Sequence, residues 1–120
     1  PAALLAPIYE GVLPLFGRPV SVHDPMLSRM QPGQSHALHH DLQPSHWLTR
    51  VHVPLVTNDG AWMLFEEEGR RVHFAPGWAY TFDTMRRHAF GNDGDNDRVH
   101  LLFDVRAAGP ATVGPGEATR

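Results

Sequence analysis

The middle of the chain alternates apolar and polar residues with the period of two that is typical of a half-buried β-strand. The first strand predicted in this way, Trp47–Val56, places Arg50 and His52 on one side and valines on the other. An Asn-Asp-Gly turn at residues 58–60 follows, and the next strand is predicted at Ala61–Phe65. This pattern predicts sheet rather than helix for the body of the protein.

Shorter strands separated by Gly, Pro or charged turns are predicted farther along the chain, at Val72–Phe74, Trp78–Phe82, Arg87–Phe90 and Arg98–Val105. Short strands with turns about every 8 to 12 residues predict an all-β sandwich or barrel. The first 25 residues contain five prolines. Proline interrupts helices, so only a short helix or turn is predicted near Ala2–Tyr9, followed by irregular chain.

The length of 120 residues is enough for one domain that buries a core without disulfides. We expect this domain to span residues 1–106, with its core at 26–106. The final segment, residues 107–120, is rich in Ala, Gly, Pro and Thr and predicts a flexible tail. The first residue is Pro1 rather than Met, from which we expect a processed or trimmed chain.

Composition excludes several classes of function. The chain has no cysteine, which excludes disulfide scaffolds, iron–sulfur ligation and a cysteine nucleophile. All ten basic residues are arginine, so a P-loop and a Schiff-base lysine are excluded too. A formal charge of −3 predicts no nucleic-acid partner. No apolar run approaches the roughly 20 residues of a membrane span, and no signal peptide is evident, so we expect a cytoplasmic protein without membrane contact.

Nine histidines make metal binding the first chemistry to consider. His39 and Asp41 are two residues apart, which on a strand puts both side chains on one face, about 7 Å apart along the chain. With His88 as the best candidate for a third ligand, two histidines and one carboxylate would form the face found in non-haem Fe(II) oxygenases. The alternative is a solvated histidine–aspartate pair, since the spacing alone is common.

Five blocks of sequence, in order, resemble the aspartyl/asparaginyl β-hydroxylase family between about Ser28 and Val105. They are Ser28–Gly33, His39–Asp41, Arg50–Thr57, Phe82–Asp83 with His88, and Asp97–Asp104. The resemblance implies a double-stranded β-helix, the jelly-roll or cupin-like fold, that binds Fe(II) (Fe²⁺) and the co-substrate 2-oxoglutarate. It also implies a hydroxylase that uses dioxygen to oxidise an aspartyl or asparaginyl side chain or a free amino acid, while 2-oxoglutarate is decarboxylated to succinate.

Position by position, the resemblance implies that His39, Asp41 and His88 are the iron ligands and form the catalytic centre. Arg98 resembles the arginine that pairs with the distal carboxylate of 2-oxoglutarate, a task that suits a planar, bidentate donor. Three further residues match positions that contact the co-substrate in relatives, namely Arg50, His52 and Ser28. Arg98, His100 and Asp104 share the polar face of the last predicted strand, and His100 is expected at the surface or around the site.

Two other functions remain open at this point. A cupin-like barrel that binds a metal or small ligand without catalysis would not need Arg98, and neither would an iron dioxygenase independent of 2-oxoglutarate. A zinc pair at His36 and His40 and a calcium loop at Asp93–Asp97 are weaker alternatives. Relatives usually carry more chain before the Ser28 block, so a homo-oligomer is one arrangement that would close the substrate pocket.

Overall fold

The computed structural model of this protein describes residues 2–41 and 47–108. Within them the chain forms an α-helix, a 3₁₀ turn and eight β-strands. The elements are α1 (Ala2–Val12), the 3₁₀ turn (Leu13–Phe16), β1 (Val20–Met30), β2 (Ser35–His39), β3 (Trp47–Val56), β4 (Ala61–Phe65), β5 (Arg70–Val72), β6 (Tyr80–Thr81), β7 (His88–Asn92) and β8 (Arg98–Ala107). Neither helical segment of this part of the chain has the length and apolar character that crossing a membrane requires.

The strands form two antiparallel sheets of four strands each. The first sheet, called here the large sheet, has the order β1-β8-β3-β6, and the second, the small sheet, has the order β2-β7-β4-β5. β8 therefore lies in the interior of the large sheet, bonded to β1 on one side and to β3 on the other. Because both neighbours fix its register, the side chains of β8 have well-defined positions on the two faces of the sheet.

One face of β8 packs under the N-terminal helix. Leu101, Phe103 and Val105 are no more than 1% exposed and form an apolar cluster with Val51 of β3. Helix α1 covers this cluster, and the ring of Tyr9 meets Phe103 edge-on with centroids 5.0 Å apart. Edge-to-face contact is a favoured geometry for aromatic pairs, so the helix is attached by burial and by ring geometry together.

The opposite face of β8 carries polar residues and is buried as well. Arg98, His100 and Asp104 are 4%, 2% and 5% exposed. This face lies over the apolar side chains of the small sheet, where Met63 and Phe65 cluster with other aromatic residues. The interior between the sheets therefore combines an apolar wall with a polar wall. Such an interior is the kind of environment in which a few charged or hydrogen-bonding groups can bind a ligand.

The prediction of an all-β protein with a short N-terminal helix is confirmed, although the helix reaches Val12 rather than Tyr9. The strands predicted at Trp47–Val56 and Ala61–Phe65 are also confirmed. Residue 107 ends β8 rather than beginning a tail, and the backbone N–H of Ala108 donates to Pro19 at 3.1 Å. The rest of the predicted tail, residues 109–120, lies outside the described residues.

The prediction of irregular chain before residue 25 is wrong, because β1 runs from Val20 to Met30 along β8. Pro25 misled the sequence argument, since proline has no N–H to give to a ladder. The strand accommodates it in an irregularity between His23 and Met26, next to Asp24, whose φ of 52° is in the left-handed region. A bulge of this kind lets a strand continue past a residue that cannot pair.

One predicted strand is displaced and another is shorter than expected. β5 spans Arg70–Val72 instead of Val72–Phe74, and β6 has only Tyr80–Thr81 of the predicted Trp78–Phe82. Phe74 and Phe82 leave their strands and pack between the sheets instead. Burial of these rings outweighs the hydrogen bonds that a longer strand would add at the edge of either sheet.

Candidate metal centre

His39, Asp41 and His88 lie together at one end of the small sheet. Each offers a nitrogen or oxygen atom, and the three atoms all lie within 4.8 Å of one another. His39 and His88 are partners in the ladder between β2 and β7, with ring centroids 4.4 Å apart. The Nε2 atom of His88 is 3.8 Å from Oδ2 of Asp41. A search of the described residues for three or more His, Asp or Glu side chains spaced to hold one metal ion finds this group.

Both histidines are oriented by the backbone. Nδ1 of His88 donates to the carbonyl of Arg86 at 2.7 Å, and Nδ1 of His39 donates to the carbonyl of Ala37 at 2.8 Å. A carbonyl oxygen only accepts, so each contact selects the tautomer with the proton on Nδ1. Each ring therefore keeps a bare Nε2, the atom that coordinates a metal, as in many metal sites where the second nitrogen is held by a hydrogen bond.

Asp41 reaches the site by a different route from the one the sequence suggested. β2 ends at His39, and an irregularity in its pairing precedes it, so Asp41 does not share a strand face with His39. Instead, its backbone N–H donates to the carbonyl of Thr84 at 2.9 Å. Thr84 is buried in the loop before β7. The contact between these two loops brings the carboxylate beside His88.

The His88 loop is fixed by exposed ion pairs with the β4–β5 turn. Arg86 Nε lies 2.7 Å from Glu67, and Arg87 Nε lies 3.4 Å from Glu66. Surface ion pairs contribute little to global stability. Their local effect is to hold the segment that supplies the Arg86 carbonyl to His88.

Arg98 is a buried cation at the first residue of β8. One of its terminal nitrogens donates to Ser28 Oγ at 3.2 Å, and its guanidinium lies 5.4 Å from the centroid of the Phe90 ring. Its Nε has no partner among the described residues, and no carboxylate there pairs with it. Burial lowers the pKa of Arg98 to about 10, which leaves it charged at neutral pH. A buried cation without a counter-charge fits an anionic ligand.

His52 and His100 accompany Arg98 on the polar wall. Their ring centroids are 6.3 Å apart, and His52 also lies 4.9 Å from the Phe82 ring, which in turn lies 5.0 Å from the ring of His88. Burial is the main cause that lowers the pKa of each histidine to about 3, and nearby positive charge adds to it. Both rings are therefore neutral at physiological pH. None of their four nitrogens has a partner among the described residues.

Arg50 and Ser28 lie on the same polar wall in different surroundings. Arg50 Nε is 2.8 Å from Oδ1 of Asp104, its direct partner across β3 and β8. Ser28 contacts Arg98 as described and is the direct partner of His100 across β1 and β8. The structure thus places Arg98 in contact with Ser28, His52 near His100, and Arg50 in an ion pair with Asp104.

The sequence placed His100 on the same strand face as Arg98 but left open whether that face is exposed, and the structure shows that it is buried. The weaker alternatives at other acidic residues have simpler explanations in the structure. Asp93 pairs with Arg71 and Asp97 pairs with Arg29, so these carboxylates of the suggested calcium loop already have partners.

The donor atoms of His39, Asp41 and His88 can be compared with the ligand preferences of metal ions. Two imidazole nitrogens and one carboxylate oxygen on one side suit Fe(II) with open positions on the other side. Comparison with protein families is consistent with that chemistry. The family model described as Aspartyl/Asparaginyl beta-hydroxylase matches residues 5–108. A search of curated proteins finds no match.

Proposed function

The chain belongs to the aspartyl/asparaginyl β-hydroxylase family, and from that premise we propose that it is an Fe(II)- and 2-oxoglutarate-dependent dioxygenase. Its substrate would be an aspartyl or asparaginyl side chain or a free amino acid, with dioxygen as oxidant. 2-Oxoglutarate would be decarboxylated oxidatively to succinate as the substrate is hydroxylated. The observation that carries the proposal is the presence of an uncompensated buried cation, Arg98, in the same interior as the His39–Asp41–His88 cluster.

The order of the strands supports a double-stranded β-helix of the jelly-roll or cupin-like type. β1 pairs with β8, β2 with β7, β3 with β6 and β4 with β5, all antiparallel. The chain is thus one long hairpin with strands β1–β4 in one arm and β5–β8 in the other. Its successive pairs alternate between the two sheets, and the pairs β3–β8 and β4–β7 complete each sheet. Rolling a long hairpin into two sheets is how a jelly roll is built.

In this proposal His39 and His88 would hold an iron ion through Nε2 and Asp41 would hold it through a carboxylate oxygen. The iron would supply activation of dioxygen and the oxidising power for hydroxylation. The contribution of the protein is orientation, because the two Nδ1 contacts and the Asp41–Thr84 contact fix the ligands before a metal binds. Preorganised ligands lower the reorganisation that metal binding would otherwise require.

Arg98 would bind the distal carboxylate of 2-oxoglutarate, with Ser28 steadying the guanidinium. A guanidinium can form two parallel hydrogen bonds to a carboxylate, and these are stronger than bonds between neutral groups. His52 lies between His100, the neighbour of Arg98 on β8, and Phe82, whose ring contacts His88. It would therefore line the path of the co-substrate. Arg50 would also contact the co-substrate, with its guanidinium oriented by Asp104.

The aromatic side chains of the small-sheet wall would keep bulk water away from the reacting atoms. Phe65 and Phe82 have ring centroids 5.0 Å apart, and each lies within 6.5 Å of His88. An apolar wall strengthens the interaction between Arg98 and a bound carboxylate, because charges interact more strongly where water is scarce. It also protects reactive species from side reactions.

The second candidate is a cupin-like barrel that binds a metal or a small ligand without catalysis. The experiment that separates the two supplies the purified protein with Fe(II), ascorbate and 2-oxoglutarate in air and measures succinate. Free amino acids and peptides containing Asp or Asn are then screened for stimulation of succinate release and for a mass gain of one oxygen. Binding of a divalent metal without binding or turnover of 2-oxoglutarate would favour the non-catalytic barrel.

A further inference from the structure

We propose that His100 is a ligand-binding residue of the co-substrate pocket, where its neutral imidazole donates one N–H to the carboxylate held by Arg98. The inference rests on the proposed function and deepens it. The family motif points to Arg98, Arg50, His52 and Ser28 for the co-substrate, whereas the position of His100 in the fold adds a donor that the motif does not supply.

The first argument is position. His100 follows Arg98 by two residues on β8, so both side chains leave the strand on its inner face. Ser28, which contacts the Arg98 guanidinium, is the direct cross-strand partner of His100. Arg98 and His100 also line one narrow crevice between the sheets, with Phe74 as part of its opposite wall. The crevice is too narrow in this structure to admit a water molecule, so a carboxylate that binds Arg98 would have to open it, and His100 is among the side chains that would then border the carboxylate.

The second argument is the set of buried nitrogens without partners. Five of them belong to three neighbouring side chains, namely Nε of Arg98 and both ring nitrogens of His52 and His100. Buried polar groups are almost always hydrogen-bonded, because an unmatched donor or acceptor loses its contact with water and gains nothing in return. A neutral imidazole has one donor and one acceptor nitrogen, so this set supplies three unmatched donors around a buried cation, which fits a bound anion.

The third argument is charge. His100 is 2% exposed and neutral at physiological pH, since burial and the nearby Arg98 lower its pKa to about 3. A protonated histidine here would repel Arg98, whereas a neutral ring adds a donor without adding charge. A purely structural role does not account for the residue, because its ring stacks near Phe74 but leaves both nitrogens unmatched. An apolar side chain would pack there equally well.

The test measures ligand binding instead of turnover. The dissociation constant of 2-oxoglutarate is determined by calorimetry without oxygen, with Mn(II) in place of iron, for the parent protein and for His100→Leu. The same constant is measured for 2-oxopentanoate, which has a methyl group in place of the distal carboxylate. We expect His100→Leu to weaken 2-oxoglutarate binding about tenfold to a hundredfold, the usual value of a hydrogen bond to a charged group. Binding of 2-oxopentanoate should be the same in both proteins.

A control and a second variant keep the result interpretable. His23→Leu, on β1 and bonded to Ser21, should leave both constants unchanged. His100→Gln, which keeps a donor, should recover part of the affinity and serves if His100→Leu does not fold. The melting temperature without ligand should not fall in His100→Leu, since the change removes two unmatched nitrogens. Equal affinity for 2-oxoglutarate in parent and variants overturns the inference alone, whereas no binding by the parent overturns the proposed function.

Discussion

His39 and His88 are direct partners across β2 and β7, and each donates its Nδ1 proton to the carbonyl of the residue two positions earlier in the chain. The two rings are therefore oriented by equivalent backbone contacts. Because the carbonyls belong to Ala37 and Arg86, the orientation depends on main-chain position and does not require a particular side chain there. The bare Nε2 atoms face a shared space next to Asp41.

Removal of either histidine should abolish metal binding. We expect one Mn(II) site per chain in the parent, no measurable site in His39→Ala or His88→Ala, and weaker binding in Asp41→Ala, because two remaining ligands hold a divalent ion poorly. Calorimetry without oxygen measures the stoichiometry and the affinity. His36→Ala is the matched control, since His36 stacks on Phe90 but lies outside the ligand set. Binding by His88→Ala with the affinity of the parent would contradict the ligand assignment.

Removal of Arg98 should weaken co-substrate binding without affecting the metal. Arg98→Ala leaves the distal carboxylate of 2-oxoglutarate without its charged partner, which predicts a loss of about tenfold to a hundredfold in affinity. Arg98→Lys should recover only part of it, because lysine keeps the charge and loses the planar fork. The measurement is 2-oxoglutarate binding at saturating Mn(II). Arg29→Ala, an exposed arginine on the neighbouring strand β1, should behave as the parent does. Unchanged affinity in Arg98→Ala would favour the non-catalytic barrel.

The protein should lose stability in mild acid because of His52 and His100. Their folded-state pKa is about 3, whereas a histidine in the unfolded chain titrates near 6.5. Between these values the unfolded state binds more protons, so unfolding becomes easier as the pH falls below about 6.5. Each ring contributes about 1.4 kcal/mol per pH unit in the middle of this window.

Urea unfolding of the metal-free protein between about pH 7 and 4.5 measures this slope within the same window. His100→Leu removes one of the two rings, so its unfolding free energy should depend on pH less steeply than that of the parent by about one proton. His23→Leu should retain the slope of the parent. An identical slope in parent and His100→Leu would mean that His100 is not held neutral in the folded state.

The pair between Arg50 and Asp104 should matter for folding. Asp104 has a side chain 7% exposed, and Arg50 Nε lies 2.8 Å from it. Asp104→Asn replaces a charged acceptor of Arg50 with a neutral amide in a half-buried position, which should lower the free energy of unfolding by about 1.5–3 kcal/mol, the usual value of a hydrogen bond to a charged group. Thermal or urea unfolding checks the value. Arg106→Ala, which breaks the exposed contact with Asp24, should cost less than about 1 kcal/mol and is the matched control.

The sequence predicted the parts of the fold that local patterns determine. β3 and β4 follow from alternation and from a turn of three residues, both of which are short-range signals. β1 was missed because its pairing with β8 joins residues about 80 positions apart along the chain and because Pro25 masks the alternation. β6 is shorter than predicted because Phe82 is buried between the sheets. Burial of this kind depends on tertiary contacts, which a local sequence pattern does not show.

The sequence likewise predicted some features of the candidate site and not others. His39, Asp41 and His88 come together in one cluster, but the reason first given for Asp41 was wrong, because a contact with Thr84 brings it there. That contact joins two loops and leaves no periodic mark in the sequence. Burial of His100 was also beyond a local pattern. Alternation determines which face of β8 His100 occupies, but whether that face is exposed to water depends on the small sheet that packs over it.

The two faces of β8 have different roles, one in packing under α1 and the other in the proposed ligand site. Its odd-numbered residues from 101 to 105 fill the cluster beneath α1, and its even-numbered residues include Arg98, His100 and Asp104 on the ligand side. In a saturation mutagenesis library, selection for folded protein would therefore reject substitutions mainly at the odd-numbered positions of this strand. Selection for co-substrate binding would reject them mainly at the even-numbered positions. Asp104 is the even position expected in both profiles, because it faces the site and also carries the ion pair with Arg50.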